Sequence, residues 1–180
     1  MARSGPSARL GGVVTTHRRI AFDSNELTYM LDANSWPPNS GEIPEEEWLS
    51  AWRVFFYLGD VYILPTVAAE AAAIKDDEKR TAHERWIQYL CEEVLPERLD
   101  KAAVDRRQDE LLVWHSGKTR DCRLVAEAEQ SKMDVFLTRD ADLRKHLRGK
   151  TAVSLSTAAD FWTAYAIPHG TSPRWEPARR

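Results

Sequence analysis

The sequence predicts an α/β fold: a three-layer α/β/α sandwich around a central parallel sheet of four to five strands. Two observations carry that expectation. Short apolar runs of strand length recur along the chain, and each is followed by a stretch of helical character. Hydrophobic residues make up 43% and charged residues 29% of the 180, the balance of one ordinary domain with a sizeable core.

RRIAFD (Arg18 to Asp23) is the first expected strand, an apolar run with a charged stop. SNELTYMLDA follows as a helix with Leu27, Met30 and Leu31 on one face. WPPNSGEIP is a loop, because Pro37, Pro38, Gly41 and Pro44 break regular structure. EEEWLSAWRVFFYL opens with acids, which suit a helix N-terminus, and is ended by Gly59. Its Trp48, Trp52, Phe55 and Phe56 form an aromatic stripe expected to face the core. VYILP is the second buried strand, and TVAAEAAAI the helix after it, with Thr66 as the expected cap. DDEKRTAHERWIQYLCEEVL reads as one long helix stopped by Pro96, its apolar side being Ala82, Trp86, Tyr89, Leu90 and Val94. Residues 97–117 are helical in part. KTRDCRLVAEAEQSKM is a further helix, DVFLT the third strand and AVSL the last. STAADFWTAY closes the fold as a helix opened by Ser156 or Thr157. The domain is thus expected over 18–167, with loose tails at 1–17 and 168–180.

Composition excludes several classes. A formal net charge of -3 does not announce a nucleic-acid binder. Two cysteines, Cys91 and Cys122, form no CxxC pair and no disulfide framework, which suits a reducing cytoplasm. No segment approaches the length of a membrane span, and LGGVV is too short an apolar patch for a signal peptide. The histidines show no HxxxH spacing, so a zinc site is not expected. Cys122 beside Asp121 reads as helix packing, with no histidine placed as its base. Of the seven tryptophans, Trp86, Trp114 and Trp162 are expected in the core, while Trp175 in the tail is a candidate for stacking on a base.

In open parallel sheets, ligands bind at the carboxyl ends of the strands. Carboxylates gather there. Asp23 ends the first strand, Glu70 lies early in the helix after the second, Asp121 opens the helix before the third, and Asp140 and Asp142 follow the third. Taken singly, these are helix caps, dipole partners or turn formers. Glu70 is harder to dismiss. It sits among alanines on a helix expected to be largely buried, where a carboxylate needs a partner. Clustered carboxylates repel one another unless a hard divalent cation joins them. Such an ion polarises a phosphate and lowers the pKa of an attacking water, the chemistry of phosphodiester hydrolysis.

In this order and context the motifs resemble the PIN-domain nucleases. IAFDSN matches that family's strand ending in Asp and a small hydroxyl residue, and VYILPTVAAE its strand, turn and helix carrying Glu. DCRLVAEAE matches the pattern D-x-x-[IL]-x-A-x-A, and FLTRDADL the strand ending T-x-D-x-D-[FL]. VSLSTAADFW is similar to the closing unit, and the likeness spans about Ile20 to Trp162. The resemblance implies that Asp23, Glu70, Asp121 and Asp140 bind Mg²⁺ or Mn²⁺ and carry catalysis, with Asp142 as a fifth ligand. It implies that Ser24 and Thr138 support them. The implied reaction is endonucleolytic hydrolysis of RNA, leaving a 5′-phosphate and a 3′-hydroxyl. The chain departs from the family in QSKM, where a glycine is common, and in its extra length around WPPNSGEIPEEEW and 76–117, which weakens the match to the compact VapC-type toxins.

With the five acids set aside, the rest of the chain carries +2. Arg120, Arg123, Arg139 and Arg144, with Lys145 and Arg148, lie close in sequence to the acids and are candidates to hold RNA phosphates. The resemblance to VapC-type toxins implies a small antitoxin as partner. The aromatic helix Glu45 to Leu58 is the candidate surface for that antitoxin or for a homodimer. Two rival readings stay open: a PIN fold serving as a non-catalytic protein-interaction module, and a nuclease of structured DNA.

Overall fold

The computed structural model describes residues 18–33, 45–57 and 59–164. Both expected tails, the WPPNSGEIP loop and Trp175 lie outside the described residues. The first half holds β1 (Arg18–Phe22), α1 (Ser24–Ala33), α2 (Glu45–Tyr57), β2 (Gly59–Ile63), α3 (Pro65–Ala72), α4 (Asp77–Leu90) and β3 (Glu92–Glu93). The second holds α5 (Lys101–Leu112), α6 (Thr119–Gln130), β4 (Val135–Leu137), α7 (Ala141–Leu147), β5 (Ser154–Ser156) and α8 (Ala158–Ala164). The five strands form one sheet in the order β3-β2-β1-β4-β5, parallel at every pairing. No helix among the described residues is long and apolar enough to cross a membrane.

Strand side chains alternate between two cores, as a pleated sheet dictates. Ile20, Phe22, Val135 and Leu137 face a core shared with α2 and α8 through Ala51, Val54, Ala158 and Phe161. Ala21 and Phe136 face the other, built from Val67 of α3, Val104 and Leu111 of α5, and Leu124, Val125 and Ala128 of α6. The three-layer sandwich follows. Of the aromatic stripe of α2, Trp52, Phe55 and Phe56 are half-buried. Trp52 meets Trp86 of α4 edge-on at 4.9 Å and stacks on Phe56 at 5.4 Å between centroids.

Several expectations need correction. The long helix stops at Leu90, and its expected last turn is instead the edge strand β3, which adds the fifth strand beside β2. Among the described side chains of α4 the buried ones are His83 and Ile87, whereas Ala82 and Tyr89 are exposed. The sheet edge leaves α4 half wet, so its inner face is narrower than the apolar pattern suggests. Trp114 is exposed on the turn after α5, its ring under the Lys150 ammonium at 3.9 Å, while Trp86 and Trp162 pack at the margin of a core. Thr66 caps nothing with its side chain. Pro65 occupies the first turn of α3, and Leu64 is the N-cap residue. That helix is only half covered, with Ala69, Ala72 and Ala73 exposed. Thr157 opens α8, its hydroxyl accepting the Asp160 N–H at 3.0 Å.

Candidate metal centre

The strand order grows outward in opposite directions from β1 and β4, so the crevice past their carboxyl ends is the topological switch point. Asp23 follows β1 directly, and its N–H donates to the Leu137 carbonyl of β4 at 2.9 Å. Its side chain is buried, with Oδ2 accepting from the Thr138 hydroxyl at 3.0 Å and Oδ1 from Ser24 at 3.4 Å. Burial pushes the Asp23 carboxyl above its usual range, while the Thr138 hydrogen bond and the Arg120 charge pull the other way. Thr138 also accepts the Asp140 N–H at 3.2 Å, which fixes the turn out of β4. Asp140 then caps α7, its Oδ1 accepting the Leu143 N–H at 2.9 Å.

Two cations draw the four expected acids together. The Arg120 guanidinium pairs with both oxygens of Glu70, donates to Ser24, and lies 3.8 Å from Asp23 Oδ1 and 3.6 Å from Asp121 Oδ1. Lys118 Nζ stands 3.9 Å from Asp121 and 3.9 Å from Asp140. Asp23, Glu70, Asp121 and Asp140 thus converge from β1, α3, α6 and the β4–α7 turn. Asp142 stands exposed in the first turn of α7, apart from these pairings, and its carbonyl contacts His146 Nδ1 at 2.8 Å. Among the described residues, the carboxylates with oxygens close enough to share a hard divalent ion are those of Asp121 and Asp140, while Asp23 and Glu70 are joined to them through Arg120.

The expected phosphate-binding arginines divide. Arg120 turns onto the acids. Arg123 is engaged inside the fold by Glu127 at 3.2 Å, Asp105 at 2.9 Å and Gln108 at 3.3 Å. Arg139 lies in the turn before Asp140. Arg144 pairs with Asp160 at 3.7 Å on the wall of a groove of about 740 Å³ between α7 and β5, lined also by Lys145, Arg148, Ser154 and Ser156.

Three residues have no counterpart in the sequence reading. Glu127 is buried in α6, its carboxylate accepting the Thr66 N–H at 3.1 Å and the Thr66 hydroxyl at 2.7 Å. It caps α3 from outside and ties the helix of Glu70 to the helix of Asp121. A glutamate inside the apolar run LVAEA was the available signal. His115, on the turn between α5 and α6, is also buried. A ring nitrogen of it lies within 4.8 Å of carboxylate oxygens of Asp121 and Asp140. No local spacing betrays this. Gly117, at a φ of 78°, supplies the left-handed residue that lets the chain turn into α6 there.

The third is Glu26, fully buried one turn into α1 and with Oε1 unpartnered. Burial, reinforced by Glu47, pushes its carboxyl from the ordinary 4.5 up to about 8. Below that pH the folded protein keeps Glu26 neutral, whereas the unfolded chain ionises it above about 4.5. The folded state therefore binds the extra proton, and this carboxyl erodes stability as pH rises from about 4.5 to about 8. Glu26→Gln is expected to raise Tm at pH 8 by several degrees and to change it little at pH 4.5. An equal shift at both pH values would show that Glu26 does not titrate in this window.

No protein-family model matches the sequence, and no curated protein matches it. Among solved structures the chain is similar to VapBC2 from Rickettsia felis bound to a DNA fragment from their promoter. The TM-score is 0.53 at 12% identity, over 77% of this chain and 97% of that one. At that identity the likeness concerns the fold, which is PIN-like.

Proposed function

We propose that the protein is a Mg²⁺- or Mn²⁺-dependent endoribonuclease, the toxin of a toxin–antitoxin pair. The observation that carries this reading is the convergence of Asp23, Glu70, Asp121 and Asp140 at the switch point of a PIN-like sheet. These four would hold the cation, which when bound supplies Lewis acidity to a phosphodiester and to the attacking water. The chain's own residues set up the rest. Thr138 and Ser24 orient Asp23, and Asp140 is held at the mouth of α7 by its capping bond. Arg120, already charge-paired across the site, is placed to meet phosphate oxygens when an ion takes over the acids. The test is incubation of total tRNA and rRNA with Mn²⁺, with Mg²⁺ and with EDTA. Discrete fragments that vanish with EDTA support the reading; fragments that persist in EDTA oppose it.

The basic groove between α7 and β5 is the proposed path of the RNA backbone. In an Asp121→Asn background, Lys145→Glu with Arg148→Glu is expected to weaken RNA binding and lower the salt slope by about 1.4, two contacts' worth on single strands. An unchanged slope would remove both residues from the path. An antitoxin is the proposed protein partner, supported by the resemblance to VapC-type toxins and the fold shared with VapBC2. It or a second copy would lie on the aromatic helix α2, the surface expected for both.

A further inference from the structure

We propose that His115 supplies a nitrogen ligand to the metal centre, so that the site takes Mn²⁺ or a heavier transition-series cation in preference to Mg²⁺. The inference rests on reading the acids as a metal centre and adds a donor of a different kind. A ring nitrogen of His115 and carboxylate oxygens of Asp121 and Asp140 lie within 4.8 Å of one another. Ligands of one ion, each about 2.1–2.2 Å from it, sit at most about 4.4 Å apart. The three donor atoms, all within 4.8 Å of one another, therefore need only side-chain adjustment to reach a common ion.

The second observation is independent of the acids. His115 is 6% exposed, and its Nε2 is buried without a hydrogen-bond partner. A buried polar atom left unmatched costs free energy that a ligand can recover. The ring is also held in place. Its backbone N–H donates to the Leu111 carbonyl at 3.0 Å, its own carbonyl accepts from the Cys122 thiol at 3.8 Å, and His146 stacks on its face at 5.1 Å. An imidazole fixed by packing against two carboxylates is a preorganised ligand. Lys118, half exposed and 3.9 Å from both acids, supplies the positive charge that the ion would replace. Imidazole nitrogen suits transition metals, whereas Mg²⁺ keeps to oxygen and water. The nitrogen donor thus shifts selectivity away from Mg²⁺.

The test is electron spin-echo modulation on the Mn²⁺-loaded protein, which reads nitrogen bound to the metal, together with titration calorimetry. Nitrogen modulation is expected in the wild type and not in His115→Gln. The same variant is expected to bind Mn²⁺ about tenfold or more weakly, with Mg²⁺ affinity changed less than about twofold. Mn²⁺ binding that depends on Asp121 but shows no nitrogen modulation overturns the proposal and leaves the nuclease reading standing. So does modulation that survives in His115→Gln, since another histidine would then be its source. Mn²⁺ binding indifferent to Asp121→Asn overturns both. The wild-type spectrum needs no variant, so the proposal stays open to refutation even if His115→Gln fails to fold.

Discussion

Asp121→Asn is expected to remove RNA cleavage while leaving the fold intact. Asparagine keeps the shape and some hydrogen bonding of aspartate but not its charge, and a hard cation needs the anionic oxygen. The loss should reach about 10²- to 10³-fold or more, the scale on which a single preorganised charge contact acts. The structural cost is small by comparison. Asp121 is paired with Lys118 at 3.9 Å and Arg120 at 3.6 Å, and both partners are about half exposed. Such pairs contribute at most about 1 kcal/mol. Removing one of four clustered carboxylates also relieves repulsion. An unchanged circular dichroism spectrum and Tm beside lost cleavage would therefore place Asp121 in the chemistry. Undiminished cleavage by the variant would place the active centre elsewhere.

Glu127→Ala is expected to do the opposite, destabilising the protein without touching the chemistry directly. The side chain is 2% exposed and answers three donors, the Thr66 N–H, the Thr66 hydroxyl and Arg123 Nε. Truncation leaves both Thr66 donors without their acceptor, while Arg123 keeps Asp105 and Gln108. Each part-buried donor left unmatched costs about 1–3 kcal/mol. That is a substantial share of a small domain's stability, about 5–15 kcal/mol in total. Glu127→Gln keeps one acceptor oxygen, enough for one of the two Thr66 donors, and loses the charge facing Arg123, so it should fall between the two. Urea denaturation orders the three proteins. A loss below about 1 kcal/mol for Glu127→Ala would mean that water replaces the carboxylate.

Four of the five strands, and the nearness of acids to one edge of the sheet, were legible because both signals are mostly local. An apolar run long enough to cross a sheet announces a strand, and an acid at its end announces the ligand-binding edge. Asp23 and Asp140 follow from that alone. Glu70 needed the motif context, since its helix proves half exposed rather than buried. What stayed illegible depends on contacts between distant segments. β3 is two exposed glutamates that no hydropathy pattern marks as a strand; they pair because Tyr62 and Ile63 lie beside them. His115 reaches the acids only because the α5–α6 turn sets it beside Asp121 and Asp140. Glu127 hides inside a motif whose leucine and alanines draw the eye to packing. Arg120 reads as a surface cation until Glu70, far away in sequence, is brought to meet it.

The ends of the sheet decide how this molecule can meet its neighbours. β3 presents two residues, both acidic and exposed, and β5 presents three, the first of them an exposed serine. Edges so short and so polar offer a poor template for another chain's strand. Assembly by sheet extension is thereby discouraged, and with it the ribbon-like aggregation that an open parallel sheet invites. Protein partners are left with helices as handholds. A complex built that way can release its grip without breaking a main-chain ladder.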